Sequence, residues 1–99
     1  MEVFFEDTKL EQLESSREVE TAWSPAVVSA FRKKLWFIRQ AVDERDFRNM
    51  KSLHFEKLKG KRSHQYSMRL NDQYRLIVEL KQTGHHKQVT VVSIEDYHS

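Results

Sequence analysis

Apolar residues recur along this chain at two different periods. Val27, Phe31, Leu35, Ile38 and Val42 follow one another at spacings of four, four, three and four, which is one stripe of a long helix facing a core. Ser24 is placed to cap that helix, and Pro25 sits in its first turn, where a missing N–H costs nothing. The pattern predicts an end near "DERD", with "FRNMKSLHF" as a turn or a further helical piece. In the second half the period falls to two. Tyr66, Met68 and Leu70 alternate with Gln65, Ser67 and Arg69, and Tyr74, Leu76, Val78 and Leu80 with Gln73, Arg75, Ile77 and Glu79. These are two half-buried strands. "KQTGHHK" then turns at Gly84, and "QVTVVSIE" is a last strand.

Ahead of the long helix, "EVFFE" is a short strand. Thr8 and Glu11 have the spacing of a capping box, opening a short helix that carries Leu10 and Leu13. A polar connector, "ESSREVETAW", follows. The order is strand, helix, helix, then three strands (βααβββ). This predicts an α+β fold with both N-terminal helices on one face of a largely antiparallel sheet. Ninety-nine residues suit a single domain over 1–99.

The hairpin register follows from parity. The apolar sets on both strands are even-numbered, so only an odd loop pairs like with like. A three-residue loop of Asn71, Asp72 and Gln73 pairs Leu70 with Tyr74 and puts Arg69 opposite Arg75, away from the core. Like charges directly opposite are destabilising. A phosphate between the two guanidinium groups relieves that repulsion. The alternatives are that both reach apart into water, or that Asp72 and Glu79 neutralise them.

Charge sharpens this picture. Glu2, Glu6, Asp7, Glu11, Glu14, Glu18 and Glu20 face only Lys9 and Arg17 in the first quarter. Lys51, Lys57, Lys59, Lys61, Arg62, Arg69 and Arg75 face only Glu56 and Asp72 later on. Such separation suits an anionic partner, nucleic acid being the commonest, although two solvated faces give the same pattern. Cysteine is absent, which removes disulfides and thiolate chemistry and fits a reducing cytoplasm. No apolar run approaches the length of a membrane span or a signal peptide. "HH" lacks neighbouring carboxylates or cysteines at ligand spacing, so neither a metal nor a cofactor is expected.

The last strand runs directly into Asp96, Tyr97 and His98. An acid, a phenol and an imidazole in a row suit RNA cleavage. The substrate supplies its own nucleophile, the 2′-hydroxyl, and the protein must move two protons and stabilise a charged phosphate. Imidazole suits the proton transfers, Lys59, Arg69 and Arg75 the phosphate. Each residue also has a plainer reading. A histidine near a chain end is ordinarily inert, Tyr97 can be packing, and Asp96 can merely end the strand. His54 can be a partly buried, hydrogen-bonded histidine, and Lys57, Lys59, Lys61 and Arg62 can form a solvated loop.

"LKGKRSHQYSMRLNDQYRLIVEL", followed by "VVSIEDYH", resembles the HigB-type plasmid-maintenance killer proteins of the RelE/ParE toxin superfamily. The resemblance covers roughly Leu53 to His98. It implies a microbial-ribonuclease-like α+β fold and a toxin of a type II toxin–antitoxin system. It further implies a ribosome-dependent endoribonuclease that cuts messenger RNA in the 30S A site. The implied partner is a HigA-like antitoxin with a helix-turn-helix domain, through which alone operator DNA is met. Asp96, Tyr97 and His98 match the family's C-terminal catalytic run, Lys59 the lysine of "LKG", and Arg75 the hairpin arginine. His54 stands two residues farther from that lysine than in the shortest family pattern. It reaches the site if the added residues form a bulge or a helical end. Lys57, Lys61, Arg62 and Arg69 join Lys59 and Arg75 as RNA-binding cations. Two other classes remain open: a ParE-like protein that inhibits DNA gyrase without cutting RNA, and a non-catalytic RNA-binding module.

Overall fold

The protein is described by a computed structural model over residues 1–16 and 18–96. Tyr97 and His98 therefore lie outside the described residues. The elements are β1 (Glu2–Phe5), α1 (Thr8–Ser15), α2 (Pro25–Gln40), α3 (Glu44–Asn49), β2 (Glu56–Lys57), β3 (Gln65–Arg69), β4 (Tyr74–Thr83) and β5 (His86–Asp96). Single 3₁₀ turns fall at Lys51–Leu53 and Gly60–Arg62. The sheet order is β1-β5-β4-β3-β2. β1 is parallel to β5, and every other pairing is antiparallel.

The α+β architecture expected from the pattern is present, with one added strand. α3, beginning at Glu44, takes the helical alternative of the stretch expected as a turn or further helical piece, and the two-residue β2 stands where a basic loop was expected. The three helices and the even-numbered positions of β3 and β4 share one core. Phe31, Leu35, Ile38, Phe47, Met68, Leu76 and Val78 are all fully buried within it. Ser24 caps α2 by accepting from the Val27 N–H at 3.2 Å, as its position suggested.

Two local expectations are corrected. The cap of α1 is Asp7, whose carboxylate accepts from the Lys9 N–H at 2.8 Å, and Thr8 is already helical. Aspartate at that position also complements the positive end of the helix, which threonine does not. Val42 is not part of the apolar stripe. α2 ends at Gln40, Ala41 turns to an extended conformation and is buried in its place, and Val42 is 80% exposed. The stop is set by the next helix. Asp46 accepts from the Val42 N–H at 2.8 Å, and Asp43 caps α3 through the Arg45 N–H at 2.9 Å. The Arg45 guanidinium beside it lowers the Asp43 carboxyl to about 2.

Side-chain ties hold the helical layer in place. Arg32 donates to the carbonyl oxygens of Leu13 and Ser16, both at 2.9 Å, closing the end of α1. Arg39 forks onto Glu14 at 2.9 and 2.6 Å, and Lys87 holds Glu44 at 2.8 Å. Thr83 pairs with His86 around a two-residue turn in which Gly84 has φ +62°. Positive φ at the first central residue of such a turn is what glycine provides most cheaply. Among the described residues no helix is long and apolar enough to cross a membrane.

Truncation separates the true stripe from the apparent one. Ile38→Ala should cost about 2–5 kcal/mol in urea unfolding, whereas Val42→Ser should stay within about 0.5 kcal/mol.

Candidate nucleic-acid interface

The sheet face opposite the helices carries Arg69 and Arg75, two of the predicted cations. β3 and β4 pair Arg69 with Arg75, Met68 with Leu76 and Ser67 with Ile77. The Leu70 N–H meets the Tyr74 carbonyl at 2.9 Å, so the three-residue loop and the facing arginines are as parity required. Asn71 organises that loop by accepting from the Gln73 and Tyr74 N–H groups at 2.9 and 2.7 Å. β4 then pairs Arg75 with Glu95 and Ile77 with Ser93 on β5. The outer face thus contains one row of Arg69, Arg75 and Glu95, and a second row of Ser67, Ile77 and Ser93.

Glu95 arrives there through a β-bulge. Ile77 pairs with Ser93 but Val78 pairs with Val91, so Val92 has no opposite residue. The extra residue inverts the in–out alternation, as bulges do. Val91 and Ile94 both enter the core, and Glu95 faces outward beside Arg75. Asp96 lies opposite Tyr74, on the helix side of the sheet, where its carboxylate accepts from Gln73 Nε2 at 3.1 Å. Sequence reasoning named Asp96 as a candidate and did not place Glu95 beside the arginines. The adjacent apolar pair Val91–Val92, which breaks the period of two, was the available signal.

The arginines differ in what they meet. Arg69 is bonded to Asp72 and to the Asn71 carbonyl, so one of the two neutralising acids expected for it is in place. Arg62 crosses the face. Its Nε donates to Gln65 Oε1 at 2.9 Å, and its two terminal nitrogens fork onto Glu95 at 2.9 and 2.6 Å. Gln65 and Glu95 flank the Ser67–Ile77–Ser93 row, so the guanidinium between them lies over that row. This accounts for Ile77, which is fully buried yet outside the helix-side core. The Ser93 hydroxyl also donates to Glu95 at 2.9 Å. Hydrogen bonding from Arg62 chiefly, then from Ser93, with the charges of Arg62 and Arg75, holds the Glu95 carboxyl below its ordinary value against the effect of burial.

Lys59 and Lys61 are exposed on the loop that Arg62 anchors, where Gly60 takes φ +66°. Lys57 pairs with Tyr66 on the edge strand, so alternation turns it toward the helix side, away from Arg69 and Arg75. His54 ends the 3₁₀ turn Lys51–Leu53 in a left-handed conformation, φ 49°, and is exposed. The residues separating it from Lys59 thus include a helical end and the short β2. Lys34 on α2 was not anticipated. Burial first, and the nearby positive charge of Arg69 second, lower its pKa. Among the described residues no group of three or more His, Asp or Glu is arranged to hold a metal.

A model of the HigB-like toxin family, described as RelE-like toxins of type II toxin–antitoxin systems, matches residues 3–98. The chain belongs to that family. A type II toxin has an antitoxin as its partner, and HigB-like toxins are generally endoribonucleases. A solved "YoeB/ParE toxin from Agrobacterium tumefaciens" superposes with a TM-score of 0.60 over 98% of this chain and 99% of that one. At 13% identity that likeness concerns the fold. No curated protein matches the sequence.

The electrostatics of Glu95 have a pH signature. An unfolded glutamate titrates near about 4.3, and the folded carboxyl lies lower. Its stabilising contribution is therefore complete above the unfolded value and is lost as pH falls through the folded one. The side chains of Arg62 and Glu95 are 42% and 30% exposed, which limits the contribution to about 1 kcal/mol or less. In a carboxyl NMR titration Glu95 should show a depressed midpoint, and Arg62→Gln should raise it.

Proposed function

We propose that this toxin is a ribosome-dependent endoribonuclease that cleaves messenger RNA by 2′-hydroxyl attack on the adjacent phosphate. The observation that carries this reading is the cross-strand pair Arg69–Arg75 on the solvent face of the sheet, next to the exposed lysines of the 59–62 loop. Facing guanidinium groups on paired strands favour a bound phosphate, which can take the place of the exposed Asp72 carboxylate that now offsets part of their repulsion. They sit on rigid strands, as a positioned catalytic group requires.

Arg75 and Lys59 hold the scissile phosphate, and Arg69 and Lys61 the flanking backbone. His98 moves the proton, with Tyr97 stacking on a base or bonding the phosphate. Asp96 orients or balances the imidazole, and His54 is a second imidazole within the same loop system. General acid–base transfer supplies about 10²–10⁴-fold in rate, and phosphate stabilisation supplies much of the rest. The site of action is the cytoplasmic ribosome, and the antitoxin is a HigA-like helix-turn-helix protein.

Expression of the chain without its antitoxin should arrest growth, and His98→Ala should abolish the arrest. Purified protein added to translating ribosomes should create new message 5′ ends. Arg75→Ala should reduce their rate of appearance by about 10²–10³-fold. Unchanged 5′ ends with wild-type protein, or inhibition of gyrase supercoiling that survives His98→Ala, would sink the nuclease reading.

Mutating Lys59 gives a second, independent check. Lys59→Ala should weaken RNA binding and flatten the slope of log affinity against log salt by about 0.7.

A further inference from the structure

The basic loop that carries Lys59 and Lys61 has little of its own to hold it down. It contains a glycine at φ +66° and one 3₁₀ turn, whose backbone bonds run from Arg62 N–H to Lys59 C=O at 3.4 Å and from Ser63 N–H to Gly60 C=O at 3.1 Å. The strand before it, β2, is two residues long. At the base of the loop the Leu58 N–H bonds the Gln65 carbonyl at 2.9 Å, and the tie from the loop itself across the sheet face is made by Arg62. All three nitrogens of its guanidinium donate, one to Gln65 on β3 and two to Glu95 on β5. The tie crosses the sheet from the β2–β3 loop to the interior strand β5, over Ile77.

We propose that Glu95 is a positioning residue, which anchors Arg62 and thereby fixes the loop bearing Lys59 and Lys61 above the arginine pair. This rests on the nuclease reading for its consequence but not for its geometry. Arg62 is then a strut and not a phosphate ligand, and the loop cations reach RNA because Arg62 is spent on Glu95. A carboxylate on a face that binds RNA opposes phosphate by its charge, and the fork onto Arg62 is what offsets that cost. The fork needs a planar guanidinium. Lysine keeps the charge but meets a carboxylate as a point contact.

That difference supplies the test. Hydrogen exchange at the Arg62 and Ser63 amides is compared in wild type, Glu95→Gln and Arg62→Lys. Global stability is monitored by urea unfolding, so that loop opening is distinguished from unfolding. Both variants should exchange about three- to tenfold faster at these amides, with the core strands unchanged. In the ribosome assay Arg62→Lys, which preserves net charge, should lower kcat with KM little altered. A phosphate-contact role for Arg62 predicts the reverse: a raised KM, and loop amides that stay protected in Glu95→Gln. Unchanged exchange in both variants would overturn the proposal whatever the activity. If wild type cuts no RNA while both variants loosen the loop, the nuclease reading fails and the anchor stands.

Discussion

Val91 and Ile94 both point into the core although they are three residues apart. A strand of period two reaches that only by inserting a residue, and Val92 is the insertion. Without it, the alternation begun by Val89 and Val91 would carry Ser93 and Glu95 inward and Ile94 outward. Two polar groups would then enter the core, at a cost of several kcal/mol for an unpaired carboxylate. The bulge keeps the core apolar and delivers Glu95 to the arginine face. The position of Arg62, the cover over Ile77 and the tethering of the basic loop all follow from that single phase change.

The arginine face is balanced by local carboxylates. Arg69 meets Asp72, and Glu95 lies between the charges of Arg62 and Arg75. Such balance makes a cluster of cations compatible with folding before any polyanion arrives. The two carboxylates are held differently. Asp72 is on an exposed loop and pairs within its own hairpin, so it yields easily to a competing phosphate. Glu95 is gripped by a bidentate fork and a serine hydroxyl, on an interior strand. A face with one weakly held and one firmly held anion has both an exchangeable position and a fixed one.

The helical layer serves this face from behind. Arg32 and Arg39 fasten α1 to α2, and Lys87 fastens α3 to β5. Trp23 packs edge-on against Tyr74 at 5.2 Å, where the arginine hairpin begins. Phe47, Phe55 and Tyr66 form a run of contacting rings beneath the short β2, with Phe55 and Tyr66 stacked at 4.9 Å. The strands carrying the cations are therefore backed by packed aromatic and aliphatic groups. Their geometry does not depend on the loops that decorate the outer face.

Local periodicity and turn parity were enough to specify the long helix start at Ser24, the strands β3 and β4, and the pairing of Arg69 with Arg75. Each depends on interactions between residues close in sequence, or on a two-fold alternation that admits one register. The helix end was not legible. Val42 continues the spacing of the stripe, and only Asp43 and Asp46, acting through the next helix, turn the chain away. The Thr8–Glu11 spacing was likewise a valid cap pattern that lost to Asp7, one residue earlier. Glu95 and Asp96 are neighbours with the same chemistry, and sequence cannot say which faces the cations. That choice belongs to the packing of Val91 and Ile94 across a sheet whose partners lie far away in the chain.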